Sequence, residues 1–136
     1  MADPVVGILV GSESDRERMK AALDELDARG IAWEFEVRSA HRDPDAVSEY
    51  ARAAAGRGIR VLICGAGLAA ALPGVVAAQT ELPVIGVPLR SSMSVLDGMD
   101  ALLSIVQMPP GVPVATVGVD NAKNAAVLAA RILGVS

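Results

Sequence analysis

The sequence has few aromatic residues, a single cysteine and a single histidine. Tryptophan, tyrosine and phenylalanine each occur once in 136 residues. Cys64, the only cysteine, excludes an internal disulfide and is typical of a reducing cytoplasm. One histidine and one cysteine far apart in sequence do not make a zinc site, so we expect no bound metal. Because 52% of the residues are nevertheless apolar, we expect a core of Val, Leu, Ile and Ala.

Positive charge and long apolar runs are also scarce. The formal net charge is −4, and no cluster of Lys and Arg is interleaved with aromatic residues. This balance argues against a nucleic-acid polymer as partner. The uncharged run over residues 62–78 is broken by glycine and proline, which predicts a strand, a tight loop and a short helix instead of a membrane span. No charged-then-apolar leader precedes the first strand, so we expect a cytoplasmic protein without membrane association.

Strand and helix patterns alternate along the whole chain. Short apolar runs predict five strands, and helical spacing predicts five helices after them. The strands are predicted at residues 5–10, 31–38, 59–64, 83–88 and 112–119. The helices are predicted from residues 12–15 to Gly30, and at 45–55, 68–79, 95–106 and 122–133. With right-handed crossovers, this order predicts an α/β fold, a parallel sheet with helices on both faces. The length predicts one domain spanning residues 1–136.

Three loops carry the polar residues of interest, and each follows a predicted strand. In open parallel sheets, ligands bind beyond the carboxyl ends of the strands, near the switch in strand order. The loops after the first three strands, residues 12–15, 39–44 and 65–73, are therefore expected to converge on one site.

The first of these loops, Gly11 to Asp15, leads from a strand into a predicted helix. Free backbone N–H groups and the helix dipole favour phosphate at such a position. The hydroxyls of Ser12 and Ser14 are candidate donors to an anion, and Asp15 is a candidate acceptor from sugar hydroxyls. The alternative is that these three residues simply cap the helix.

The second loop, Ser39 to Pro44, contains the only histidine, His41, beside Arg42. An imidazole exchanges protons near neutral pH, and a guanidinium binds phosphate. The alternative is a surface histidine and a solvated arginine ahead of a helix, with Asp43 as its N-cap.

The third loop is predicted to begin with Gly65, Ala66 and Gly67, where small residues let the backbone approach a flat ligand. A plain turn explains the same residues. Cys64 is predicted to be a small core residue, and Met93 a packing or lid residue. No Gly-x-Ser-x-Gly motif is present to support a serine hydrolase.

Three stretches together resemble one family. They are residues 11–15 (Gly-Ser-Glu-Ser-Asp), 39–44 (Ser-Ala-His-Arg-Asp-Pro) and 104–114, which includes Gln-Met-Pro-Pro-Gly. In order and spacing they resemble the PurE family, whose members include N5-carboxyaminoimidazole ribonucleotide mutases of purine biosynthesis. Residues 72–74 and 124–130 are also similar to it, so that the resemblance covers residues 5–133.

The resemblance implies a flavodoxin-like three-layer α/β/α sandwich with a five-stranded parallel sheet, assembled as a homo-octamer with active sites at subunit interfaces. It implies a small-molecule ribonucleotide substrate, with neither metal nor organic cofactor. His41 would shuttle the proton while a carboxyl group moves from N5 to C4 of the imidazole. The remaining site residues would hold the ribose phosphate (Ser12, Asp15, Ser39, Arg42) or line the pocket for the base and CO2 (Ala66, Gly67, Leu72).

Two positions differ from the family pattern. Mutase-class members usually have glycine where this chain has Leu68, and histidine where it has Ala71. The Gly-Ala-Gly and Leu-Pro-Gly segments favour the mutase over a carboxylase that takes CO2 and aminoimidazole ribonucleotide directly. A carboxylase of another ribonucleotide and a nucleotide-binding, non-catalytic relative are the remaining alternatives.

Overall fold

The computed structural model describes residues 2–135, so that Met1 and Ser136, the ends of the predicted domain, lie outside the described residues. The strands are β1 (Val6–Val10), β2 (Trp33–Val37), β3 (Val61–Gly67), β4 (Val84–Leu89) and β5 (Ala115–Thr116). The helices are α1 (Lys20–Ala28), α2 (Pro44–Ala54), α3 (Leu72–Ala77), α4 (Met99–Val106) and α5 (Ala122–Leu133).

The five strands form one parallel sheet in the order β2-β1-β3-β4-β5. The chain moves outward from β1 to β2 and then returns to the other side of β1 to add β3. The strand order therefore reverses between β1 and β3, where a crevice forms at the carboxyl ends of the strands. This is the flavodoxin-like order, and it confirms the predicted fold class.

Helices cover both faces of the sheet, and alternate residues of each strand supply the two cores. One core joins Leu9, Leu62 and Cys64 to α2, α3 and α4. The other joins Ile8, Ile63 and the rest of their face to α1 and α5. Because both faces are covered, β1 and β4 are buried along their whole length, which explains their continuous apolar sequences. The result is a three-layer α/β/α sandwich.

The composition of the core agrees with the prediction from the sequence. The largest fully buried side chains are those of isoleucine, leucine, valine and one methionine, Met19. Cys64 is completely buried in the sheet, and burial raises the pKa of its thiol, as expected for a core residue. Among residues 2–135, no helix has both the length and the apolar character that crossing a bilayer requires.

The strand predicted to end at Cys64 is longer than expected. β3 continues through Gly65, Ala66 and Gly67, so that these residues are paired with β4 and do not form a loop. Packing explains the first glycine, because a Cβ atom there would lie 2.7 Å from Met19 Sδ. At Gly67, a Cβ atom would lie 3.1 Å from the carbonyl oxygen of Leu89. These glycines therefore permit close packing inside the sheet instead of a turn.

The last strand is shorter than predicted. β5 contains only two residues, Ala115 and Thr116, in place of the predicted 112–119. Proline cannot donate a backbone hydrogen bond to a sheet, and Pro113 therefore limits pairing at the start of the segment. Val112 and Val114 instead pack as partly buried side chains against the α2–α4 core.

Three predicted helices also begin later than expected. The α4 helix starts at Met99 instead of residue 95, because Asp97 and Gly98 before it have positive φ angles of 51° and 94°. Two 3-10 turns, Glu13–Asp15 and Glu17–Met19, precede α1. The helix ends at Ala28, just before Gly30, which has a positive φ of 67° and was predicted to stop it. α3 begins at Leu72 instead of residue 68, because Leu68 has a positive φ of 56°, which is incompatible with a right-handed helix.

Candidate active site

A pocket of about 460 Å³ lies beyond the carboxyl ends of β1 to β4, at the reversal in strand order. It is lined by the loops that follow these four strands. Every residue that the sequence predicted for the site contributes to its walls: Ser12, Asp15, Ser39, His41, Arg42, Ala66, Gly67 and Leu72. The predicted convergence of the first three loops is therefore observed, and a fourth loop joins them.

The loop after β1 differs from the predicted helix N-terminus. Two of its backbone N–H groups have partners within the 3-10 turn: Asp15 N donates to the Ser12 carbonyl at 3.0 Å, and Arg16 N to the Glu13 carbonyl at 3.1 Å. The α1 helix starts only at Lys20. The helix dipole therefore does not act at this loop, because its effect is confined to the first turn of a helix. The hydroxyls of Ser12 and Ser14 are therefore the side-chain donors that this loop offers to an anion.

Ser12 is both a cap and a wall residue of the pocket. Its Oγ accepts from Ser14 N at 3.4 Å and lies 2.9 Å from Ser14 Oγ. The capping interpretation is only partly correct, because Ser12 alone caps, and it caps the 3-10 turn and not α1, whose N-cap Met19 makes no side-chain bond. Capping does not exclude a binding role, since both hydroxyls still line the pocket. Burial raises the pKa of the neighbouring Asp15 carboxyl, and the positive charge of Arg18 partly opposes this shift.

The loop after β2 is organised by the Ser39 hydroxyl. Ser39 Oγ accepts from the backbone N of Arg42 at 3.1 Å and from its Nε at 3.3 Å. Arg42 Nη2 donates to the Gly11 carbonyl at 3.0 Å, which links this loop to the loop after β1. A guanidinium has five N–H donors. Two of them are used in the bonds to Ser39 Oγ and to the Gly11 carbonyl, so that three remain free for a ligand. Arg42 can therefore hold the two loops together and still bind an anion.

His41 lies in the turn between Ser39 and α2 and is exposed at the pocket wall. The turn is fixed on its C-terminal side by Asp43, whose N donates to the Ser39 carbonyl at 2.9 Å. Asp43 Oδ1 accepts from Ala46 N at 3.2 Å and so caps α2, as predicted. The imidazole is thus carried by a turn that hydrogen bonds to Ser39 fix, next in sequence to the guanidinium of Arg42.

The third wall of the pocket is apolar. It is formed by the end of β3 and the segment before α3: Ala66, Gly67, Leu68, Ala69, Ala70, Ala71 and Leu72. Leu72 and Ala70 are buried, 3% and 2% exposed, whereas Leu68 is 37% exposed. The pocket therefore contains the hydroxyl and guanidinium donors, the imidazole of His41 and a wall without charged groups.

The fourth loop, after β4, was missed as part of the site. Ser91 and Met93 line the pocket, and Met93 is 75% exposed, so that it is not a buried packing residue. The rule that selected the other loops applies equally to residues beyond Leu89, the last residue of β4. Arg90 anchors this loop, because its backbone N donates to Asp120 Oδ1 at 2.9 Å and its Nε lies 3.1 Å from Asp97 Oδ1.

A larger cleft of about 1120 Å³ lies near the amino ends of β4 and β5. It is lined by the end of α2 and by residues 77–84 and 111–115, and it contains none of the predicted site residues. Convergent polar groups distinguish functional pockets better than size does, so we assign the site to the smaller pocket. Within the part of the chain that the structure describes, no three His, Cys, Asp or Glu residues are grouped as metal ligands.

The comparisons with known proteins agree with this arrangement. The family model described as AIRC, AIR carboxylase, matches residues 5–136. The chain belongs to the AIR carboxylase family. This confirms the resemblance that the motifs indicated. Gln107 to Gly111, one of those motifs, does not line the pocket of this family member. Met108 instead packs behind it, since a Cβ atom at Gly74 would lie 3.0 Å from Met108 Sδ.

Several curated proteins of the AIR carboxylase family are similar over nearly the whole chain. The N5-carboxyaminoimidazole ribonucleotide mutase of Pyrococcus horikoshii is 58% identical over 97% of this chain and 73% of its own length. The mutase of Bacillus subtilis is 59% identical over 96% of this chain and 80% of its own. A phosphoribosylaminoimidazole carboxylase of Schizosaccharomyces pombe is 59% identical, and the matched region is 23% of that longer protein.

Solved structures of the family share the fold. The crystal structure of Treponema denticola PurE matches with a TM-score of 0.85 and 33% sequence identity. The match covers 96% of this chain and 80% of that one.

Proposed function

We propose that this protein is an N5-carboxyaminoimidazole ribonucleotide mutase. It is an isomerase that moves a carboxyl group from N5 to C4 of the imidazole without metal or organic cofactor. One observation carries the proposal: the only imidazole of the chain lines the same pocket as an anion-binding set and an apolar wall. The mutase names of relatives at 58% and 59% identity support the same reaction.

The reaction requires a proton to move in the direction opposite to the carboxyl group. When the N5–carboxyl bond breaks, CO2 is released and N5 gains a proton; when C4 attacks CO2, a carbon–carbon bond forms and C4 loses its proton. A single group can serve both steps if it donates first and accepts afterwards. We assign this role to His41, since an imidazole changes charge near neutral pH and is suited to both transfers.

The other residues are proposed to hold the two ends of the substrate. Ser12, Ser39 and Arg42 bind the ribose phosphate through hydroxyl and guanidinium donors, and Asp15 accepts from a ribose hydroxyl. Ala66, Gly67 and Leu72 line the opposite side, against the imidazole base and CO2. An apolar wall is suited to CO2, which is uncharged and must stay in the pocket between the two bond changes.

The assay that tests the proposal is interconversion of the N5- and C4-carboxylated aminoimidazole ribonucleotides, without ATP or added metal. We expect conversion in both directions by the purified protein. Conversion that occurs only from bicarbonate and the uncarboxylated ribonucleotide would instead identify a direct carboxylase. Nucleotide binding without either reaction would identify a binding protein.

The variant His41→Asn tests the proton transfer. It removes the titratable group and keeps a polar side chain of similar size, so we expect turnover to fall by about a hundredfold or more while ligand binding changes little. Unchanged turnover in this variant would exclude His41 as the proton carrier. Asp24→Asn, a change on an exposed position of α1 on the other face of the sheet and away from the pocket, is the matched control and should keep full activity.

We also propose that the chain works as a homo-octamer with active sites at subunit interfaces. The β4–α4 loop and the outer side of α4 support this, because they expose six large apolar side chains: Met93, Val95, Leu96, Met99, Leu103 and Val106. Exposed apolar patches of this kind mark interaction surfaces. Met93 also lines the pocket, so that a second copy seated on this surface would cover the mouth of the site.

Light scattering tests the assembly. The octamer has eight times the 13.9 kDa mass of the chain, and Leu103→Glu should give smaller species with reduced turnover. The control Ala21→Glu adds the same charge to an exposed position of α1, on the other side of the sheet, and should leave the mass unchanged. A monomeric wild-type protein with full activity would contradict the proposal.

Finally, we propose a cytoplasmic location, which the single unpaired cysteine supports.

A further inference from the structure

Leu68 has an unusual backbone conformation at the wall of the pocket. Three non-glycine residues in the described chain have a positive φ: Leu68 at 56°, Asp97 at 51° and Asp120 at 58°. Aspartate tolerates the left-handed region because its short polar side chain bonds locally. Leucine has no such compensation, and its Cβ crowds the following carbonyl oxygen in this region.

Contacts of the two aspartates show how their conformations are supported. Asp120 Oδ1 accepts from the backbone N of Arg90 at 2.9 Å, and Asp97 Oδ1 lies 3.1 Å from Arg90 Nε. Leu68 has no comparable support from packing, because among the described residues it belongs to neither hydrophobic core cluster. Its neighbours Ala66, Ala70 and Leu72 do belong to one. The strain at Leu68 is therefore not offset by core burial.

The side chain of Leu68 is instead placed at the pocket. It lines the apolar wall, opposite the loops that carry Ser39, His41 and Arg42, and remains 37% exposed. Strained residues that persist without a packing gain cluster at ligand-binding sites, where their position serves the ligand. An apolar side chain that is partly open to the pocket gains burial when a ligand covers it.

We infer that Leu68 is a specificity-determining residue, whose side chain packs on the ring-bearing part of the ribonucleotide and excludes water from it. The inference rests on the proposed function for the identity of the ligand. According to this inference, Leu68 contributes to affinity for the ring of the ligand, and the polar loops contribute to affinity for its phosphate. Leu68 is a contact residue for the base and takes no part in the proton transfer.

Two variants separate the side chain from the backbone strain. Leu68→Ala removes the branched end and keeps a Cβ in the left-handed conformation, whereas Leu68→Gly removes both. Titration calorimetry with aminoimidazole ribonucleotide should show about a tenfold loss of affinity in both variants, or about 1.4 kcal/mol. Ribose 5-phosphate lacks the ring, and its affinity should stay within about twofold of wild type. Leu68→Gly should melt about 3–5 °C above Leu68→Ala, because only glycine relieves the strain.

Each contrary result has a separate meaning. Unchanged affinity for aminoimidazole ribonucleotide in both variants, or an equal loss for ribose 5-phosphate, would overturn the role of Leu68. Leu68→Ala melting at or above Leu68→Gly would overturn the strained conformation on which that role depends. The proposed function would be wrong if the wild-type protein bound aminoimidazole ribonucleotide but did not interconvert the carboxylated forms. In that case the two variants would still decide whether Leu68 contacts the ring. Wild-type protein that does not bind this nucleotide would overturn both.

Discussion

Replacement of Arg42 by alanine gives the most direct test of how the pocket binds the phosphate. In the free protein the guanidinium donates two hydrogen bonds within the chain, to the Gly11 carbonyl and to Ser39 Oγ. Its remaining three donors can form a two-pronged contact with phosphate oxygens without breaking these bonds. The arginine thus holds the first two loops in place before substrate arrives, which lowers the cost of ordering them on binding.

The expected magnitude follows from the type of bond that is lost. A hydrogen bond to a charged group contributes about 1.5–3 kcal/mol, so Arg42→Ala should weaken binding of aminoimidazole ribonucleotide roughly 10- to 150-fold. Because the phosphate does not take part in the bond changes, KM should rise while kcat changes little. Arg42→Lys keeps the charge but has no planar fork, so we expect a smaller loss. Side-chain exposure of Arg42 implies little effect on stability.

The assay is calorimetric titration of wild type, Arg42→Ala and Arg42→Lys with the ribonucleotide and with the nucleoside that lacks the phosphate. We expect the alanine variant to lose less affinity for the nucleoside than for the ribonucleotide, because only the ribonucleotide carries the phosphate that Arg42 binds. A loss below twofold for the ribonucleotide would refute the phosphate contact. An equal loss for ribonucleotide and nucleoside would show that Arg42 acts only by holding the loops together.

Two further predictions concern groups outside the pocket. Hydrogen bonds from Arg57 and Tyr50 lower the pKa of Glu34 below 4.5, so its contribution to stability is present above that pH and is lost as pH falls through the lowered value. Glu34→Gln should therefore lose about 1–2 kcal/mol in urea unfolding at pH 7 and less at pH 3; equal losses at both would contradict this. Asp120→Ala removes the acceptor for Arg90 N at a left-handed position and should cost about 2 kcal/mol, whereas Asp120→Asn should cost less; equal melting points would refute the reasoning.

Much of the fold could be predicted because burial on two faces leaves a plain pattern in the sequence. β1 and β4 are continuous apolar runs, and the polar residues that follow strands mark the edge where ligands bind. The same reasoning placed His41 and Arg42 at the pocket. It placed Gly65 and Gly67 in a loop instead of in β3, since a glycine required by packing looks the same in sequence as one required by a loop.

The features that were not predicted depend on contacts between distant residues. A 3-10 turn follows Ser12 where the sequence predicted the start of an α-helix. Residue types do not distinguish the two, because serine caps a 3-10 turn and an α-helix in the same way. The left-handed conformation of Leu68 contradicts the preference of leucine, so that the residue type gives no signal of it. Ser91 was not predicted for the site, and Met93 was predicted only as a packing or lid residue, although the rule for loops after strands applies equally to the loop after β4.

The burial of Cys64 has a practical consequence for measuring folding. Its thiol is inaccessible in the native sheet and carries a raised pKa, so that thiol reagents should modify it only when the chain opens. It is paired in register with Leu9 and Gly86, in strands on either side. The chain therefore contains one natural reporter at its centre, and the rate of its labelling would measure core opening with no introduced probe.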